Sequence, residues 1–184
     1  MMTDFLHPNF RMTISNTNQP TNSFNPIQSN SIQFNPIQFN ENTQEQQSLQ
    51  KDPLEYCSVV PVGEDMYNWT AQLAGPINTP YQGGVFNLKI EFPSQYPFKP
   101  PSFVFATKVY HPSIETASGK ICANVISEGW GPTLNVRHCL QVIYSMLQAP
   151  TADHPLEEEI AQQLRDNPKE FEKAAKKFTK DYAN

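Results

Sequence analysis

The sequence predicts an α+β domain: a four-stranded antiparallel meander sheet packed against helices, behind a disordered N-terminal tail. Three observations predict it. Strand-like runs broken by turn residues fill the first half of residues 45–184, helical apolar spacing fills the second half, and residues 1–44 carry no regular apolar pattern. At 184 residues the chain has room for one ordinary domain and little more.

Residues 1–44 are rich in Asn, Gln, Ser, Thr and Pro, and the block Phe24-Asn25-Pro26-Ile27-Gln28 recurs as Phe34-Asn35-Pro36-Ile37-Gln38. Such a segment buries too little apolar surface to offset its ordering entropy. A second reading makes it a docking peptide, with Phe5, Leu6 and Phe10 or the repeated Phe/Ile pairs as anchors.

The core domain is expected over 45–184. Glu45 to Lys51 can form a short helix stopped by Pro53, with Leu49 its one notable apolar residue. Strands are expected at Ser58–Val62, Met66–Ala74, Val85–Phe92 and Ser102–Ala106. The turn signals between them are Gly63-Glu64-Asp65, Gly75-Pro76 and Gly83-Gly84, then a stretch from Tyr96 to Pro101 too rich in Pro for a strand. Short connections between consecutive strands make the sheet an antiparallel meander. Asn135 caps a helix that puts Val136, Leu140, Ile143 and Leu147 on one face. Pro155 suits the first turn of another, with Leu156, Ile160 and Leu164 spaced by four. The capping box Asn167-Pro168-Lys169-Glu170 opens the last helix, whose Phe171, Ala174, Ala175, Phe178 and Tyr182 form a stripe expected in the core.

Net charge is −5, which argues against a nucleic-acid or anionic-membrane partner. The three cysteines, Cys57, Cys122 and Cys139, form no C-x-x-C pair, so neither a zinc site nor a disulfide framework is suggested. A reducing compartment fits them. With no apolar run long enough to cross a bilayer and no secretory-type start, the sequence reads as a cytoplasmic or nuclear protein.

Between sheet and helices, Val109 to Leu134 shows little regular pattern, and a loop of that length inside a compact domain is usually functional. It holds Tyr110-His111-Pro112, Gly119-Lys120-Ile121-Cys122 and Gly129-Trp130-Gly131-Pro132. Taken alone, Cys122 reads more readily as a structural thiol.

The set of motifs changes that reading. Asp52-Pro53, Trp69, Tyr81-Gln82-Gly83-Gly84-Val85-Phe86, the run Tyr96 to Pro101, Val109-Tyr110-His111-Pro112, Gly119 to Cys122, Trp130-Gly131-Pro132 and Asp153-His154-Pro155-Leu156 follow in order, with Trp130 eight positions after Cys122. From about Leu49 to Asn184 the chain resembles the ubiquitin-conjugating enzymes, especially the small type that works with many ligases. The resemblance implies the ubiquitin-conjugating fold, and a thioester of ubiquitin or a ubiquitin-like protein on Cys122. It implies delivery by a ubiquitin-activating enzyme, then transfer to a substrate lysine or a ligase cysteine. It implies no metal, nucleotide or organic cofactor at that step. It also implies that Phe98, Pro132 and Thr133 meet RING or U-box ligases, and that Ser58 lies where a second ubiquitin can rest. The plainer readings are that Phe98 packs and that Ser58 is an exposed strand residue.

The chain departs from the family around the sulfur. The family's His-Pro-Asn reads His111-Pro112-Ser113, and Ser113 precedes Cys122 by nine positions, one more than is usual. That Asn is credited with supporting the oxyanion or the loop; Ser113 keeps a hydroxyl but has less reach, and serine readily structures loops. The position two after the cysteine, commonly Asp, is Asn124, and the second Asp of Asp-Asp-Pro-Leu is His154, beside a retained Asp153. His154 can serve as the base or orienter for the incoming lysine, since an imidazole ordinarily titrates near neutrality; the plain reading is an exposed histidine at a helix start, where a cation is disfavoured. The stretch Asn40 to Lys51, basic in the family, is acidic and amide-rich here, with Glu41 and Glu45. These departures keep two further readings open: a conjugating enzyme for a ubiquitin-like modifier, and a catalytically impaired ubiquitin-binding variant.

Overall fold

A computed structural model describes residues 36–184. The expectations for the first 35 residues, including the Phe5, Leu6 and Phe10 anchors, lie outside the described residues. The elements run α1 Pro36–Lys51, β1 Cys57–Val62, β2 Asp65–Ala74, β3 Val85–Glu91, β4 Ser102–Phe105, α2 Ala123–Ser127, α3 Val136–Gln148, α4 Glu158–Asp166 and α5 Pro168–Tyr182. No described helix is long and apolar enough to cross a membrane.

The sheet is the expected antiparallel meander, in the order β1-β2-β3-β4. Its register follows from side-chain alternation. Leu73 faces Phe86, Ala71 faces Leu88 and Trp69 faces Ile90, and β4 continues the inner face with Phe103 opposite Ile90 and Phe105 opposite Leu88. Slipping any strand by one residue would turn this set out to solvent. Pro61, which cannot donate to a ladder, sits in edge strand β1, where the pairing shifts between Pro61 and Val62.

The helices cover that inner face. In α3, Asn135 accepts the cap bond from His138 N–H, and Val136, Leu140, Ile143 and Leu147 are all buried in one core with the sheet residues. In α5 the Asn167 side chain accepts from Glu170 N–H, and Phe171 and Ala175 are buried.

Four expectations need correction. Helix α1 starts at Pro36, nine positions before Glu45. Polar tertiary bonds hold it: Asn42 is wholly buried and its Nδ2 donates to Met66 O at 2.9 Å, Tyr96 OH donates to Glu45, and Arg137 pairs with Asp52 at its far end. Helix α4 starts at Glu158 and leaves Leu156 outside, 45% exposed. The α5 stripe runs past the core: Phe178 is half-buried, and Tyr182, 49% exposed, leans on Phe178 with its ring tilted by 50° and with Lys108 Nζ 5.1 Å from its ring centre. The long segment Val109–Leu134 contains one unexpected helical turn, α2, immediately after Cys122.

Candidate active site

Cys122 ends a short extended piece sewn between β4 and the chain before it. Phe105 N–H donates to Gly119 O at 2.8 Å, and bridges pair Val104 with Lys120 and Ile114 with Ile121. Gly119 is required at that crossing: its φ is +75°, and a Cβ there would lie 1.8 Å from Phe105 O. Cys122 N–H then donates to Ser113 O at 2.8 Å, and Cys122 O accepts from Val125 N–H at 3.0 Å as α2 begins. The thiol is half-buried and lines a groove of about 430 Å³ whose walls are mostly apolar, among them Pro101, Phe103, Ile121 and Ile126, with Lys120 at its edge.

All three cysteines are free thiols. Cys57 and Cys139 are buried, and desolvation pushes each thiol up to about 12. Both are therefore protonated and shielded. Cys122, by contrast, is half-buried and lines the groove just described.

The segment before Cys122 is held from inside. His111 is fully buried. Its Nε2 donates to Met146 O at 3.1 Å and its Nδ1 accepts from Ser113 N–H at 3.0 Å. A carbonyl can only accept and an N–H can only donate, so the ring is neutral with its proton on Nε2. Burial agrees, holding the imidazole down to about 4. Tyr81, also buried, donates its hydroxyl to Tyr110 O at 2.9 Å, and Tyr110 OH reaches Gln163 at 2.8 Å. Ser113 is only 4% exposed, and the bonds that place it, from its N–H and to its C=O, are main-chain bonds.

The segment after α3 is hung from the same frame. Pro112 O accepts from Leu156 N–H and Glu157 N–H at 2.9 and 3.0 Å, and Glu157 Oε1 accepts from Thr116 N–H at 2.7 Å. This fixes the base of a loop on which Asp153 and His154 are exposed. His154 has φ +48°, the left-handed region uncommon for a residue with a Cβ. Because α4 starts only at Glu158, His154 stands outside that helix and the expected dipole penalty does not apply. Asn124 is exposed in α2, two residues past the cysteine.

The remaining expected residues lie elsewhere on the surface. Phe98 is 77% exposed, so it does not pack, and Pro132 and Thr133 are exposed. Trp130 joins their two loops by donating Nε1–H to Pro97 O at 3.0 Å. Between these loops and α1 lies a groove of about 300 Å³ bordered by Glu41, Glu45, Tyr96, Pro97, Pro132 and Thr133. Burial pushes the Glu45 carboxyl up while its bond from Tyr96 opposes the shift. Ser58 is exposed on β1, near Val60 and Val62, which are 54% and 51% exposed.

Sequence reasoning missed the His111 bridge, Met146 and Tyr81 as supports of the site. The motif containing His111 was visible, but its burial was not.

Comparison with known proteins agrees with this geometry. The family model described as "Ubiquitin-conjugating enzyme" matches residues 41–179. The E2 domain of a Toxoplasma gondii ubiquitin conjugating enzyme superposes with a TM-score of 0.73 at 34% identity, covering 80% of this chain and 99% of that one. A candidate ubiquitin conjugating enzyme of Plasmodium yoelii gives a TM-score of 0.74 at 32% identity, covering 78% of this chain and 94% of that one.

Proposed function

The chain belongs to the ubiquitin-conjugating enzyme family, and we propose that it accepts ubiquitin from an activating enzyme as a thioester on Cys122 and passes it to a substrate lysine or a ligase cysteine. One observation carries the reading: of three free thiols, two are buried and protonated, and the third opens α2 beside a groove.

In the loading step the Cys122 thiolate attacks the carbonyl carbon of the incoming thioester. A new C–S bond forms, the activating enzyme's thiolate leaves, and the Cys122 proton goes to solvent. In the discharge step a lysine amine attacks the same carbonyl, Cys122 leaves as thiolate, and the attacking nitrogen sheds a proton. Asp153 and His154, exposed on the loop hung from Pro112, are the groups suited to orient that lysine or take its proton. Ser113 acts in this reading through its main chain, which holds Cys122. Asn124, exposed two residues past the cysteine, can donate to the tetrahedral oxyanion.

Exposed Phe98, Pro132 and Thr133 suit a ligase surface, and the carboxylates of Glu41 and Glu45 on the adjoining groove suit a partner that brings a basic residue. Exposed Ser58, which shares a face of β1 with exposed Val60 and Val62, suits a second ubiquitin. Three free thiols suit the cytoplasm or nucleus.

The test is a loading assay with activating enzyme, ATP and either ubiquitin or a ubiquitin-like protein, run with and without reductant. A reductant-sensitive adduct is expected with ubiquitin, absent in Cys122→Ala and converted to a reductant-stable ester in Cys122→Ser. An adduct with another modifier alone reassigns the cargo. No adduct with any modifier selects the ubiquitin-binding reading.

A further inference from the structure

A second feature lies apart from the Cys122 groove and the ligase-loop groove, and shares no lining residue with either. Two grooves of about 500 and 430 Å³ run between the β2–β3 connection and α5, and they join through Gln82, Lys173 and Lys176. One wall is cationic. Lys169, Lys173, Lys176 and Lys180 are exposed at steps of four, three and four along α5, which strings their positions over about 16 Å. No ion pair among the described residues engages any of the four; their neighbour Lys177 is the one paired, with Asp181. The other wall is uncharged, with the amides of Asn78 and Gln82.

We propose that this channel docks an acidic segment of a partner protein. Four unpaired ammonium groups held close on one helix repel one another, and an anionic ligand relieves that repulsion. Their steps match carboxylates at successive turns of a partner helix, about 6 Å apart. A long polyanion fits less well. The whole chain carries net charge −5, so nucleic acid or an anionic membrane reaching beyond the patch meets a repelling field. Glu172 stands within the channel lining, and the lining holds neither Arg nor an aromatic ring for base stacking. A short acidic segment can pass Glu172 and stay inside the patch. The channel is thus a recruiting surface for a substrate or partner protein, separate from the chemistry at Cys122.

The experiment measures binding of the full chain to a fluorescent peptide carrying Glu at the same four-three-four spacing, by anisotropy at two salt concentrations. Binding is expected to weaken as salt rises and to fall by roughly tenfold or more in K173E/K176E; the same peptide with Gln in place of Glu is expected not to bind. Single-stranded RNA and phosphatidylserine vesicles are run alongside. Equal binding by K173E/K176E, no binding of the Glu peptide, or tighter binding of RNA or vesicles would each overturn the proposal. The substituted side chains are exposed, so a thermal melt and Cys122 loading of the variant are expected to match wild type. Failure of loading in wild type would instead count against the transferase reading, whatever the peptide does.

Discussion

Two stretches are stitched to the Cys122 loop, Tyr110–Ser113 and Thr151–Leu156, and they differ in what holds them. The first is buried, and its bonds run inward: His111 to Met146 O, Ser113 N–H to His111, Tyr110 O from Tyr81. The second presents Asp153 and His154 to solvent and is held on either side of them, where Ala152 O accepts from exposed Arg165 and where Leu156 and Glu157 N–H meet Pro112 O. The buried stretch positions the nucleophile by its main chain and one neutral imidazole. The exposed stretch offers side chains to whatever approaches the sulfur. A change of residue in the first therefore tests the frame, and a change in the second tests the chemistry.

The largest expected effect comes from removing the bridge. His111→Ala leaves a cavity in the core and strips Ser113 N–H and Met146 O of their buried partner. Together these cost about 3–5 kcal/mol, read from denaturant unfolding. His154→Ala, at an exposed position, is expected to stay within about 0.5 kcal/mol of wild type. Comparable losses in the two variants would abolish the distinction between the stretches.

The same imidazole gives the next effect, in pH. Above its ordinary value of 6.5, His111 is neutral folded and unfolded, so it adds no pH dependence. As pH falls toward about 4, the unfolded chain takes up a proton that the folded chain refuses. Stability should therefore decline over that window by about 3 kcal/mol. His111→Gln should remove that share of the acid slope. Identical slopes in the two proteins would mean that the ring titrates freely and is not sealed in.

On the exposed side the expected effect is kinetic. If His154 receives the lysine's proton, His154→Ala slows single-turnover discharge to free lysine by about tenfold near neutral pH and flattens the pH profile. Discharge to free cysteine, whose thiolate needs no such base, should not change. A parallel fall in both acceptors would make His154 a support of the loop and leave Asp153 to orient the lysine.

Which parts of this were legible in the sequence depends on what made them form. The strands were readable because one face is buried and alternation records it, as in Phe86, Leu88 and Ile90. The start of α1 was not, because polar bonds from Asn42 and Glu45 to distant partners hold it and leave no apolar period. The start of α4 was misplaced because Leu156 fits the spacing, yet its N–H is taken by Pro112 O. Tyr182 fits the α5 period too, but the last turn has outrun the core. At the site, the ordered motifs singled out Cys122. They left open whether Ser113 works through its hydroxyl or its backbone, since one sequence does not record burial.

The smallest effect is expected at that residue, and it separates the two roles. Losing an oxyanion donor typically slows acyl transfer by about 10²–10³. Ser113 is 4% exposed, and its N–H and C=O link His111 to Cys122. Alanine preserves both main-chain bonds and removes only the hydroxyl. Ser113→Ala should thus discharge to lysine within about threefold of wild type, whereas Ser113→Pro, which deletes the N–H bonded to His111, should fail to hold the Cys122 loop and lose loading as well. A loss of about a hundredfold in Ser113→Ala, with loading intact, would transfer the oxyanion role from Asn124 to the Ser113 hydroxyl and would mean that the buried stretch reaches the reacting carbonyl after all.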